Sequence, residues 1–428
     1  MTATRTGGLG PSEEAAPVAA KHLPRMVNKS ATIQRSPGKQ GWPLLGYGFR
    51  SFFLLASLYA PLAVLAWLLV LMGAAPDPAY MGGPLLHGHE MVFGFILAGV
   101  LGFLTTALPN FAGATPITGP PLALLAGVWL AGRLALRAAD LLPPLAVAGA
   151  DLALIPVAFL LLSRSLPHGS GKRAAAFLLL FLVFEVANAL THLEAIGWTN
   201  DTGQTGVRLG IYAALVLIAL IGGRIIPSFT ANALRATGAR RLPASFAVLD
   251  AVAIGSTAAV AAADLIVGQG WLVGVAALLA GLAHVARLSF WRGLQTWRDP
   301  LLFILHVGYG WLAIGFVLLA GSELSTLIPA SAALHALTVG CVGTMMMAVM
   351  SRAALGHTGR PLVAHPLTVL AYALVSIAAF LRIAVGLLPD LWMEILAGAA
   401  ASWIVAFGLF LVVYAPILLG PRIDGRPG

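Results

Sequence analysis

The run 86-LHGHEMVFGFILAGVLGFLTTALPNFAG-113 decides what kind of protein this is. It opens with two histidines and a glutamate, His87, His89 and Glu90. About twenty apolar residues follow, enough to cross a bilayer as a helix, and a turn at Pro109-Asn110 ends the run. Ionisable groups at the mouth of a membrane helix are costly to bury, so by default they mark a functional site.

The rest of the chain is built in the same way. Of 428 residues, 59% are hydrophobic and 10% are charged, and the mean hydropathy is +0.91. Soluble domains carry about 25% charged residues, so the composition gives an all-α, polytopic membrane protein. Twelve apolar segments are long enough to span, at about 50–73, 85–108, 119–138, 143–163, 173–196, 206–229, 243–265, 271–290, 300–321, 330–352, 365–387 and 392–417. The fourth is the weakest, since Asp151 and Pro156 lie inside it. Together they make one transmembrane domain over 43–428. Residues 1–42, rich in Ala, Pro, Gly, Ser, Lys and Arg without an apolar run, read as a disordered basic tail.

The formal net charge of +9 comes from that tail and from short loops, which points to membrane topology rather than nucleic-acid binding. Basic residues gather in the tail and in every second loop, at Arg164, Lys172, Arg235, Arg240, Arg241, Arg292, Arg298 and Arg360. The opposite loops carry Asp77, Asp140, Asp201, Glu323 and Asp390. The positive-inside rule then places both termini in the cytoplasm. His87, His89, Glu90, His192 and His335 fall near the outer surface, and His284, His306, His357, Arg224 and Arg352 toward the inner one. The single cysteine, Cys341, excludes an intrachain disulfide and a multi-cysteine zinc or iron–sulfur site. A metal must use histidine, carboxylate or methionine.

The opening run returns near the C-terminal end. Laid without a gap on the tenth segment, it puts His89 on His335, Gly94 on Gly340, Thr105 on Ser351 and Gly113 on Gly359. The sixth segment matches at its inner end only, with Pro227 on Pro109. Segments two, six and ten are four apart, which implies three four-helix units with function at their interface.

His87 and His89 lie about 200° apart on a helix, so one of them can face the bundle while the other caps the helix or meets solvent. Imidazole is a frequent ligand for haem iron and copper. Two histidines on facing helices, with Phe93, Gly94, Phe95 and Gly99 below, would clamp a haem edge-on. His192 lies at the same outer depth. Arg224 and Arg352 suit cytoplasmic anchoring or the pairing of haem propionates, although an outer haem would leave them too deep. His306 is a buried ligand candidate, and His357 is open to a ligand, proton-path or turn role. Met345, Met346, Met347 and Met350 read as packing. Glu185, at mid-span, suits a proton path.

Five stretches together resemble the NnrS family. They are H-x-H-E-M-x-x-G-F from His87, T-A-x-P-N-x-x-G from Thr106, G-R-I-I-P-x-F-T-x-N-A-L from Gly223, L-H-x-G-Y-x-W-L from Leu305, and H-A-L-T-V-G from His335 through R-A-x-L-G-H-T-G-R-P-L from Arg352. The resemblance runs over about residues 45 to 417, with Phe111 where the family pattern has Trp. It implies a bacterial inner-membrane protein with haem, b-type, and copper, acting in nitric oxide metabolism or resistance with an unidentified electron donor. Carried over motif by motif, it marks His87, His89, Arg224, His306, His335, Arg352 and His357.

The twelve-helix, three-arc layout also resembles the large subunit of haem–copper oxidases and nitric oxide reductases, whose low-spin haem is held from helices two and ten. Segments six and seven here lack the histidines of an oxidase-type copper site. The resulting expectation is His89 and His335 as axial haem ligands, with His87 in place of His89 as the variant. Copper would draw on His192, His306 or the spare member of His87 and His89. A metal or nitrogen-oxide transporter and a nitric oxide reductase proper are the competing functions.

Overall fold

A computed structural model describes residues 42–167 and 171–426. The tail expected over 1–42 lies outside the described residues except for Trp42. Among the described residues there are twelve helices and no strand. They are α1 (Gly48–Leu71), α2 (83–112), α3 (Pro120–Arg137), α4 (Pro144–Ser165), α5 (Gly171–Ala195), α6 (Thr202–Ala236), α7 (Ala247–Ile266), α8 (Trp271–Ser289), α9 (Pro300–Leu324), α10 (Ala330–His357), α11 (Pro366–Ala384) and α12 (Trp392–Leu419). Each overlaps one expected segment. Eleven are long and apolar enough to cross a membrane. The exception, α3, carries Arg133 and Arg137 within its 18 residues.

Two helices are irregular at matching places. In α2 a π-helical stretch, Glu90–Ile96, begins directly after His89. In α10 a second one, Ala336–Gly343, begins directly after His335. Such stretches widen the helix by shifting its hydrogen bonds from i+4 to i+5, and they gather at functional sites. The widened turn of α2 is held from outside, because Trp129 Nε1 of α3 donates to the Gly94 carbonyl at 3.0 Å.

The other aligned positions agree. Gly113 and Gly359 both have positive φ, 71° and 74°, and terminate their helices in the left-handed conformation that glycine adopts without strain. A side chain at Gly94 would strike the ring of Tyr59, and one at Gly340 the ring of Trp311. Thr105 and Ser351 each donate to the carbonyl four residues back. The match between segments two and ten is therefore a structural repeat as well as a sequence one. α6 shares Pro227 inside its helix but has no widened stretch, as its partial match implies.

From α3 to α12 each helix packs on the next, α12 returns to α1, and α1 touches α3, so the bundle closes on itself. α2 is the innermost span, with 83% of its apolar window buried, against 17% for α7. α6 packs on both α2 and α10, and the three share the walls of two cavities. The fourth expected segment is broken where its sequence warned. α4 consists of Pro144–Leu152 and Leu154–Ser165, because Pro156 has no N–H to give the Leu152 carbonyl.

Two side chains fasten the closure, and Trp403 Nε1 of α12 is one, donating to the Ala60 carbonyl of α1 at 3.1 Å. Arg50, fully buried at the start of α1, donates from one nitrogen to the carbonyls of Leu418 at 2.8 Å and Gly420 at 2.6 Å, at the C-terminus of α12. The negative end of a helix favours a cation there. An Arg50→Leu substitution is expected to lower the thermal unfolding midpoint of the purified protein, by a loss of about 1.5–3 kcal/mol for a charged hydrogen-bonding group. An unchanged midpoint would show that the clamp carries no stability.

Candidate functional site

The two histidines of α2 serve two different places. His87 faces inward, onto a cavity of about 330 Å³ at the end of the bundle opposite the first turn of α1, the end that the charge pattern would make the outer one. α1, α2, α6, α10, α11 and α12 all contribute to its wall, and the volume is that of a small-molecule site. The lining is mainly apolar, with Trp67, Phe95 and Trp403 its largest rings. Three ionisable side chains line it: His87, His335 and Arg382.

Each of these is set by its helix. His87 stacks on Trp67, with ring centroids 5.5 Å apart and planes 17° apart, and its Nδ1 is buried without a partner among the described residues. His335 Nδ1 donates to the Ser331 carbonyl one turn back, at 2.7 Å. That fixes its tautomer and leaves Nε2 as the nitrogen with a free lone pair. Arg382, near the end of α11, has no carboxylate within ion-pair distance among the described residues.

His89 points the other way, into a buried polar cluster between α2, α3, α4 and α5. Its members His89, Glu90, Arg133, Asp151, Asn188 and His192 are each at most 3% exposed. Arg133 forks between Glu90 and Asp151 and ion-pairs with both. Asp151 Oδ2 is 3.2 Å from His89 Nε2 and 3.0 Å from His192 Nε2, and it accepts from Asn188 Nδ2 at 2.9 Å. Just outside, Tyr80 Oη lies 2.8 Å from His192 Nδ1. Tyr80 precedes α2 in the outer loop, and burial pushes its phenol up to about 12, so it stays protonated.

The expected pairing therefore changes: His335 shares its cavity with His87, and His89 belongs with His192 and Asp151. The repeat relates the backbones of α2 and α10 but not the surroundings of these two side chains. His335 lines the cavity, whereas His89 is held outward by Asp151 of α4 and Asn188 of α5.

The inner candidates stay apart. Arg224 is exposed, and Arg352 lies 4.6 Å over the Phe229 ring. Neither lines the outer cavity, as their inner depth implied; the arginine that does is Arg382. His306 Nε2 is 2.9 Å from Thr230 Oγ1, and His357 packs on the Phe49 ring. Met345, Met346 and Met350 line a smaller apolar cavity of about 70 Å³. Glu185 keeps one buried carboxylate oxygen without a partner among the described residues.

A model of the family described as NnrS protein matches residues 43–422, nearly the whole chain. The chain belongs to the NnrS family. A comparison with curated proteins finds no match. Within this NnrS chain, sequence reasoning missed Arg382, Arg133, Asp151 and Tyr80 as site residues. A signal existed for the first three. An arginine at the outer end of a span defies the positive-inside bias, and an arginine or aspartate inside a span needs a partner.

Removing Arg133 would leave two buried carboxylates uncompensated. Arg133→Leu is expected to destabilise the protein by about 3–5 kcal/mol. This would be read as a drop in folded protein by fluorescence-detected gel filtration after heating, and wild-type survival would refute the ion cluster.

Proposed function

We propose that this protein is a haem-binding membrane protein of the nitric oxide response, with its haem held in the outer cavity between His87 and His335. The observation that carries the reading is the meeting of these two side chains, from α2 and α10, in one aromatic-walled cavity. His335 is already oriented as a ligand by its bond to Ser331. Family membership supports the coarser statement, a part in the response to nitric oxide.

The residues present fit such a group. His87 and His335 would hold the iron, Arg382 would offer a guanidinium fork to a carboxylate, and Trp67, Phe95 and Trp403 would supply flat apolar walls. A single cysteine cannot make the two thioether links of a C-x-x-C-H attachment, so the haem would be b-type. When bound, it would supply an iron that can take up and pass on an electron. The protein's own part is to hold that iron away from water. His87 and His335 fix its position, the tryptophans exclude solvent, and Arg382 balances an anionic edge.

The inner-membrane location, the cytoplasmic termini and an electron donor belong to the same proposal. The test is the absorption spectrum of full-length protein purified in detergent. His87→Ala and His335→Ala are expected to abolish the Soret band, and Arg224→Ala to leave it unchanged. Full haem occupancy in both histidine variants would overturn the assignment.

A further inference from the structure

The cluster on the far side of α2 has the dimensions of a metal site. The nitrogens His89 Nε2 and His192 Nε2 lie 3.2 and 3.0 Å from one oxygen, Asp151 Oδ2. All three donor atoms fall within 4.8 Å of one another. Metal bonds of about 2.0–2.2 Å at tetrahedral or octahedral angles set neighbouring donors about 2.8–3.6 Å apart. Both separations lie in that interval.

Those distances would also suit hydrogen bonds, so the protons decide. His89 is surrounded by acceptors. Its Nδ1 faces Glu90 Oε1 at 3.1 Å. Its Nε2 faces Asn188 Oδ1 at 2.8 Å as well as Asp151. The amide cannot turn to help, because its nitrogen is engaged by Asp151. A neutral imidazole has one N–H. Given to Glu90, as ligating histidines give theirs to a carboxylate, it leaves the Nε2 lone pair aimed at oxygens. His192 is prepared likewise. Tyr80 Oη donates to the Pro144 carbonyl at 3.4 Å and so can accept from His192 Nδ1, freeing His192 Nε2.

Charge gives a second, independent argument. One guanidinium, Arg133, stands against two carboxylates, Glu90 and Asp151, in a site without solvent. Glu90 Oε2 is buried with no partner among the described residues. An excess negative charge buried in this way is expensive unless a cation or an added proton joins it. A cation between the two Nε2 atoms meets both needs at once.

We propose that His89, His192 and Asp151 bind a first-row transition-metal ion, with Glu90 and Tyr80 orienting the two histidines. Two imidazoles and a carboxylate, with no thiolate in the group, suit copper or zinc rather than magnesium or calcium. Copper has the highest divalent affinity for such donors, and as Cu(I) it brings the cluster to neutrality. His87 and His89 flank Gly88 on one helix, so this ion and the ligands of the outer cavity would lie on opposite faces of a single turn. The proposal does not rest on the haem reading.

The experiment uses full-length protein in detergent, stripped with chelator, loaded with Cu(II) or Zn(II) chloride and desalted. Metal content and the Cu(II) paramagnetic resonance spectrum are then measured. Wild type is expected to retain one ion per chain and to show coupling to imidazole nitrogens. Asp151→Asn and His192→Ala are expected to bind at least about 10-fold more weakly, and His306→Ala to bind as wild type. The proposal fails if wild type retains no ion, if both variants retain it fully, or if no nitrogen coupling is seen. Should either variant not fold, His89→Gln takes its place, with the same loss of retained ion expected. A Soret band surviving in Asp151→Asn separates loss of the metal from loss of the haem.

Discussion

Arg133 bridging Glu90 and Asp151 is the interaction on which the outer half of the molecule depends. In a bilayer there is no water to share the cost of these charges, so they must meet one another. The requirement pins α2, α3 and α4 together through side chains no more than 3% exposed. It also fixes the rotation of α2. Once Glu90 and His89 are turned toward α4 and α5, His87 is carried by the helical pitch to the opposite face, where the outer cavity lies. One buried ion cluster thus assigns the two histidines their separate places.

The π-helical stretches act on the same axis. Each starts one residue past a histidine, in α2 and in α10. The extra residue per turn rotates the remainder of the helix relative to the histidine. The apolar part of each span can then pack on its neighbours while the outer end keeps its own orientation. Trp129 reaches from α3 into the widened turn, so the irregularity is supported rather than left as a gap.

The twelve helices were legible because hydropathy and length determine a span almost alone. The match of segments two and ten was legible because the demands on backbone shape, seen at Gly113 and Gly359, leave their mark in residue type. Depth was legible too, and it put His87, His89, His192 and His335 at one level. Azimuth was not. Which face a histidine presents depends on neighbours far away in the chain, and a shift in hydrogen-bond register has no compositional signature. Asp151 illustrates the cost: in sequence it weakened a span, and in the structure it is the oxygen on which two histidines converge. Arg382 was hidden by a rule about loops, although it lies within a helix.

The central claim is that His87 and His89, two residues apart, serve different sites. The most direct measurement is haem and metal content in parallel for His87→Ala and His89→Ala, each purified full length. The expected pattern is crossed. His87→Ala should lose the haem absorption and keep the metal ion, and His89→Ala should keep the haem absorption and lose the ion. Loss of haem in His89→Ala with retention in His87→Ala would contradict the account.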